Sequence, residues 1–179
     1  LEEPSAVAML EGFLPKILPS GLSFRCIPFE GKQDLEKQLV KRIRGYQVPG
    51  AKFVVLRDQD SGDCKKIKSI LFQKCKEANR LDVLIRIACY ELESWYLADL
   101  SAVEKAFSLS GLTKYQNKVK FRSPDEYPSP AKTLKSVVPS YQKVGGSRVI
   151  GPLLDIDNSR SRSFAVFVSG LRRLCGNKK

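Results

Sequence analysis

Three acidic pairs are the residues of this chain best suited to chemistry: Glu2-Glu3, Asp58-x-Asp60 and Glu91-x-Glu93. Each stands at, or just past, the end of an apolar run that reads as a strand. Carboxylates gathered at one edge of a parallel sheet repel one another unless a cation joins them. A hard divalent ion such as Mg²⁺ or Mn²⁺ takes oxygen ligands, and two carboxylates two residues apart can point the same way from an extended strand end. An ion so held lowers the pKa of a bound water and stabilises charge on a leaving oxygen. Each pair alone also has a plain reading. Asp58 to Asp60 leads through Ser61-Gly62-Asp63 toward a helix N-cap, as a solvated turn would. Glu91 and Glu93, like Glu2-Glu3 before Pro4-Ser5, suit a helix first turn, where acids complement the dipole. The joint placement at three strand ends argues for a site.

Lys32 follows Phe29-Glu30-Gly31 in what reads as a strand-to-helix loop. It could meet a phosphate or balance the acids. The glycines form neither a phosphate-cradling Walker loop nor a dinucleotide fingerprint, so nucleotide binding of those kinds lacks support.

The chain lacks histidine altogether. That excludes a Ser-His-Asp triad, a Cys-His pair and a histidine-ligated zinc site within the chain. Base chemistry falls to carboxylate, lysine, tyrosine or metal-bound hydroxide. The five cysteines (Cys26, Cys64, Cys75, Cys89 and Cys175) are odd in number and include no C-x-x-C pair. That argues against a zinc ribbon or a disulfide framework and fits a reducing, cytoplasmic setting. Cys26 and Cys89 lie in apolar runs and are expected in the core. No apolar run is long enough to span a bilayer, so no membrane is expected. The chain starts at Leu1 without a methionine, and we expect residues of the first strand to precede it.

Formal net charge is +12, unevenly spread: residues 1–98 carry 16 Lys+Arg against 13 Asp+Glu, and residues 99–179 carry 15 against 6. An acidic pocket in a basic protein points to a phosphate polymer as partner. Lys65, Lys66 and Lys68 on one helix, and Arg172 and Arg173 near the C-terminus, are candidate nucleic-acid contacts. A solvated basic surface is the alternative.

The elements that must position the acids follow from periodicity. Ser5 to Leu18 has helical spacing with Ser5 as N-cap; Leu22 to Phe29 reads as a strand; Asp34 to Arg44 as a helix; Phe53 to Leu56 as a short buried strand; Cys64 to Ala78 as a helix; Asp82 to Ala88 as a strand; and Leu92 to Leu97 begins a helix. This alternation predicts an α/β fold with a mainly parallel four-stranded sheet, whose ligand sites lie at the carboxyl ends of the strands. Beyond Asp99 the pattern is helical: Ser101 to Phe107, Ala131 to Val138 and Ser159 to Leu174, with a loop from Lys114 to Pro130 and a turn at Gly145-Gly146. Residues 1–98 are thus expected to form the core domain, and 99–179 a basic helical appendage packed on it.

Leu1-Glu2 at a strand end before a helix, and Val54-Val55-Leu56-Arg57-Asp58-Gln59-Asp60 at another, resemble the two signature motifs of a TOPRIM domain. That fold is shared by topoisomerases, bacterial primases and nucleases of the overcoming-lysogenization-defect family. The resemblance implies that Glu2 binds metal or moves protons and that Asp58 and Asp60 are metal ligands. More closely, Glu2-Glu3-Pro4-Ser5, Phe29 to Leu35, Asp58 to Asp60, Glu91-Leu92-Glu93-Ser94-Trp95, Pro130-Ala131-Lys132 and the Arg162 to Leu174 helix resemble an uncharacterised bacterial family of TOPRIM-like proteins. Members often sit beside an ATPase in what look like phage-defence modules, which implies an ATPase partner. Glu3 stands where the first motif usually has glycine. No tyrosine matches the topoisomerase nucleophile, so topoisomerase activity is not expected.

The expectation is therefore a Mg²⁺- or Mn²⁺-dependent nuclease. Asp58 and Asp60, with Glu2 and either Glu91 or Glu93, hold the metal; Glu2 accepts a proton; and Lys32 stabilises the reacting phosphate. The alternative is a catalytically silent subunit that binds nucleic acid or docks to the ATPase. A third reading is a hydrolase of nucleotides or small phosphates.

Overall fold

Val54–Asp58 (β1) and Leu84–Ala88 (β2) pair in parallel, from Val54 opposite Leu84 to Asp58 opposite Ala88. In the computed structural model, which describes residues 1–176, these two strands form the sheet, and the last three positions of the expected appendage lie outside the described residues. Alternate residues face opposite sides. Val55 and Ile85 pack with Leu35, Leu39, Ile67 and Leu71, whereas Leu56 and Ala88 pack with Met9, Phe13, Trp95 and Phe167. Both faces are thus covered, which is why the strands read as continuous apolar runs.

The first face is covered by α2 (Lys32–Gly45) and the crossover helix α3 (Cys64–Glu77). Gly31, at φ 88°, makes the turn into α2. Asp63 caps α3, its carboxylate accepting the N–H groups of Lys65 and Lys66 at 2.8 Å each. The second face is covered by α1 (Pro4–Phe13), α4 (Glu93–Leu97) and α9 (Arg162–Leu174). Trp95 joins them: its ring lies 5.3 Å from Phe164 and 5.0 Å from Phe167, and Phe13 lies 5.4 Å from Phe164. Such aromatic pairs contribute about 0.5–1.5 kcal/mol each beyond area burial. Between α4 and α9 run α5 (Leu100–Ala106), α6 (Val119–Arg122), α7 (Pro130–Val137) and α8 (Lys143–Ile150). The segment from residue 99 onward therefore shares one apolar cluster with α1 and the sheet.

The fold is mixed α/β, as expected, but mostly helical, and the four-stranded sheet is not formed among the described residues. Leu1 and Glu2 do bond on both sides. The Glu2 N–H donates to Leu56 O (3.2 Å), the N–H groups of Phe29 and Gly31 donate to Leu1 O (2.9 Å) and Glu2 O (3.0 Å), and the Leu1 ammonium donates to Ile27 O (2.9 Å). Among the described residues these bonds do not extend into a ladder, and Pro4 starts a helix directly after Glu3. Leu22 to Phe29 forms no regular element; Pro28 has no N–H to give, and Leu22 and Phe24 are exposed. Cys26 and Cys89 are partly buried, while Cys75 is the fully buried thiol.

Other boundaries shift for local reasons. Pro15 ends α1 at Phe13, with a 3-10 turn over Leu14–Lys16. Ser5 lies inside α1, buried, with its hydroxyl on Glu3 (3.3 Å). The expected loop from Lys114 to Pro130 contains α6, which forms around buried Phe121. Gly145-Gly146 is no turn but lies within α8, where Gly146 admits the Tyr141 ring and Gly151, just beyond, meets the Met9 backbone of α1. No described helix is long and apolar enough to cross a membrane.

This close approach of α1 and the end of α8 is testable. A Cβ at Gly151 would overlap the Met9 carbonyl, which is backbone, whereas one at Gly145 would meet nothing within 4 Å. Urea unfolding should show Gly151→Ala destabilised by ~1–3 kcal/mol and Gly145→Ala unchanged or stabilised by up to ~1 kcal/mol.

Candidate active site

Parallel pairing brings the carboxyl ends of β1 and β2 to the same edge, so Asp58 ends one strand beside the start of the Glu91-x-Glu93 segment. The connecting loops cross there. The Gln59 N–H donates to Ala88 O (2.9 Å), the Asp60 N–H to Tyr90 O (2.7 Å), and the Tyr90 N–H to the Gln59 side chain (3.2 Å). Asp60 and Tyr90 are both left-handed, at φ 53° and 56°, which ends the ladder and turns the chain away. Glu2 is tied to the same edge: its carboxylate accepts the Asp58 N–H at 2.9 Å.

Three carboxyl groups share this ground. Burial, then the charges of Glu93 and Glu2, push Asp58 well above the usual carboxylate range, against a hydrogen bond from the Leu92 N–H. Burial also raises Glu2, with help from Asp60 and Glu3, although the Asp58 N–H and Arg57 pull it down. Burial raises Glu93, with Lys143 and the Tyr141 hydroxyl opposing. Desolvation of all three, with Asp58 repelled by both neighbours, favours protons or a cation.

The surrounding groups divide the remaining charge. Lys32 pairs with Asp60 at 2.8 Å, a contact that raises its pKa, and both side chains are well exposed. Lys143 pairs with Glu3 at 3.2 Å. Burial acts against the Lys143 charge, but Glu93 and Glu3 outweigh it and raise the pKa overall. Arg57, buried on the other face of β1, pairs with Glu36, and its buried Nε lies 3.8 Å from Glu2, close enough for an ion pair but without a hydrogen bond. Glu91 accepts the Ala131 N–H at 2.8 Å, and Glu93 accepts the Tyr141 hydroxyl at 2.9 Å.

The structure thus brings together Glu2, Asp58 and Glu93, and sets Asp60 with Lys32 at their rim. It uses Glu91 to anchor the start of α7. Among the described residues, no three acids or cysteines converge into a group able to enclose a metal ion. Lys65, Lys66 and Lys68 lie on the first turns of α3, which follows the Asp58 edge, and are exposed. Arg172 and Arg173 end α9 at the other end of the sheet: the neighbouring Leu174 carbonyl accepts from Lys52, which precedes β1, and Arg172 is paired with Asp157 at 2.9 Å. A cavity of about 710 Å³ also lies at that far end, bordered by Leu22, Phe24, Phe53 and Leu174. It does not adjoin the acids.

Sequence reasoning missed Arg57, Tyr141 and Lys143. Arg57 had a signal, a charge inside an otherwise apolar strand. The other two had none, since only folding carries α8 to an edge built some 50 to 140 residues earlier.

The acidic centre makes a pH-dependent prediction. Folding raises these carboxyl pKa values, so the native state keeps protons that the unfolded chain releases. Stability therefore falls as pH rises from the ordinary carboxylate value toward the raised ones. Asp58→Asn keeps an acceptor for the Leu92 N–H and removes one such penalty. Urea unfolding at about pH 7 should show it more stable than wild type by roughly 1–3 kcal/mol, a gain that disappears near roughly pH 3, below the ordinary Asp value.

A family model described as a domain of unknown function (DUF4276) matches residues 1–172. No curated protein and no solved structure matches the chain. The chain belongs to the DUF4276 family.

Proposed function

We propose that this member of the DUF4276 family is a Mg²⁺- or Mn²⁺-dependent phosphodiesterase acting on nucleic acid. The observation that carries the reading is the placement of a partly buried Asp58 at the carboxyl edge of a parallel pair, its N–H on the Glu2 carboxylate, where the charges of Glu93 and Glu2 act against its ionisation and favour a cation. An all-oxygen donor set suits a hard divalent ion. Such an ion keeps several waters and needs only one or two protein carboxylates when substrate phosphates complete its shell, so an enclosing cage is not required. Asp58 and Glu2 would be that pair, with Asp60 and Glu93 beside them.

A bound ion would supply Lewis-acid charge and a water of lowered pKa. The chain's own groups do the rest. Glu2, its pKa raised by burial, is the better placed proton acceptor. Lys32 sits exposed at the rim, where its ammonium can move from Asp60 to a phosphate oxygen. Arg57, fixed by Glu36, holds positive charge behind Glu2 and limits how far its pKa rises.

A second reading rests on a different observation. Glu3, Asp60, Glu91 and Glu93 each already have a partner within the chain. Acids so engaged would also suit a catalytically silent subunit that docks to an ATPase.

Calorimetry with Mn²⁺ on the wild type and on Asp58→Ala/Asp60→Ala, followed by cleavage assays on plasmid, linear and single-stranded substrates, separates the two. The phosphodiesterase reading expects Mn²⁺ binding by the wild type alone. It also expects Asp58→Ala to lose at least ~100-fold in metal-dependent cleavage while oligonucleotide binding changes little. A folded wild type that neither binds Mn²⁺ nor cleaves any substrate would sink it in favour of the docking subunit.

A further inference from the structure

Beside the acids, α7 and α8 border an open pocket of about 500 Å³, lined by Lys132, Lys135, Ser136, Tyr141, Gln142 and Lys143, with Ala131 at its edge. None of its lining residues is acidic. Three of them nevertheless engage acids in or beside the centre: the Ala131 N–H bonds Glu91, the Tyr141 hydroxyl bonds Glu93, and Lys143 pairs with Glu3. The pocket and the centre therefore share a wall.

We propose that this pocket binds a phosphodiester of a nucleic-acid strand and leads the adjoining phosphate to Asp58 and Glu2. The proposal rests on the phosphodiesterase reading and adds to the exposed lysines of α3 a second grip, at the α7–α8 side of the acids. A cluster of carboxylates repels a polyanion, and surface charges act only over roughly 8–10 Å at physiological ionic strength. Arg172 and Arg173, at the far end of the sheet, are not placed to offset that repulsion. Lys132 and Lys135 are exposed and form no ion pair among the described residues, so their ammonium groups are free for an anion. Lys143 stands between the two sites. Its partner Glu3 is exchangeable, since both side chains are partly exposed, and a phosphate oxygen can take the carboxylate's place. Gln142 adds amide donors, and the first turn of α8 has no side-chain cap to compete with an anion there.

The test is fluorescence anisotropy of a labelled oligo-dT strand in EDTA, titrated at several KCl concentrations, with wild type and Lys132→Gln/Lys135→Gln. Both lysines are exposed, so the variant should keep its melting temperature. It should bind ~10-fold or more weakly at low salt, and its log K against log salt slope should be shallower by about 1.4, near 0.7 for each phosphate of a single strand that the variant leaves unneutralised. A purely structural role would not change that slope. Unchanged affinity and slope would overturn the proposal. So would competition by inorganic phosphate as effective, per phosphate, as that of unlabelled oligo-dT, which would make this a small-anion site. Calorimetry with Mn²⁺ on the same variant distinguishes the two levels of inference. Loss of strand binding in the variant supports the pocket even if the wild type takes up no Mn²⁺, in which case only the phosphodiesterase reading fails.

Discussion

A parallel ladder of five residue pairs sets the rest of this structure. It covers β1 with apolar side chains on both faces, so α2 and α3 must close one side and α1, α4 and α9 the other. Because the strands run the same way, their carboxyl ends coincide, and the polar residues that cannot enter the apolar interior collect there. Asp58 is the last residue of β1, and Glu93 the first of α4. Their proximity follows from register rather than from any attraction between them.

Placing acids there has a cost, and the neighbouring groups show how it is limited. Asp58, Glu2 and Glu93 each receive a hydrogen bond from a backbone N–H or a tyrosine, while Arg57, Lys32 and Lys143 supply positive charge from three directions. The compensation is incomplete, since all three acids are still pushed toward protonation. Retained repulsion of this kind is common at functional sites, where it keeps a centre ready for a proton or a cation. The lysines of the α7–α8 pocket fit the same account, as they lie outside the repelling cluster yet share its wall.

The far end of the sheet has a different character. Its cavity is bordered mostly by apolar residues, with Arg25, Arg42 and Lys52 among them, and by the segment 22–29, which forms no regular element. Leu1 and Glu2 lie between that segment and β1, bonded to both, and this holds Glu2 in the acidic centre.

Much of this was legible from residue pattern alone. Period 3.6 marked α2, α3 and α9, and short continuous apolar runs marked β1 and β2, to within a few residues, because each buries one stripe or both faces against the same interior. Asp58 and the Glu91-Glu93 segment were readable as edge residues because a polar residue after a buried strand has nowhere else to go. The pattern did not mark α6 or the course of α8, since short helices with a few buried anchors such as Phe121 carry too little periodicity. Nor could it say which acids face one another. Sequence by itself determined which residues end the strands and that histidine chemistry is absent. Only the tertiary structure decided that Glu93 joins Asp58 and Glu2, that Glu91 is spent on the start of α7, and that Tyr141, Lys143 and two free lysines border the same edge. Those pairings depend on where α7 and α8 dock, which is settled by long-range packing against α1 and α4 rather than by any local preference of the chain.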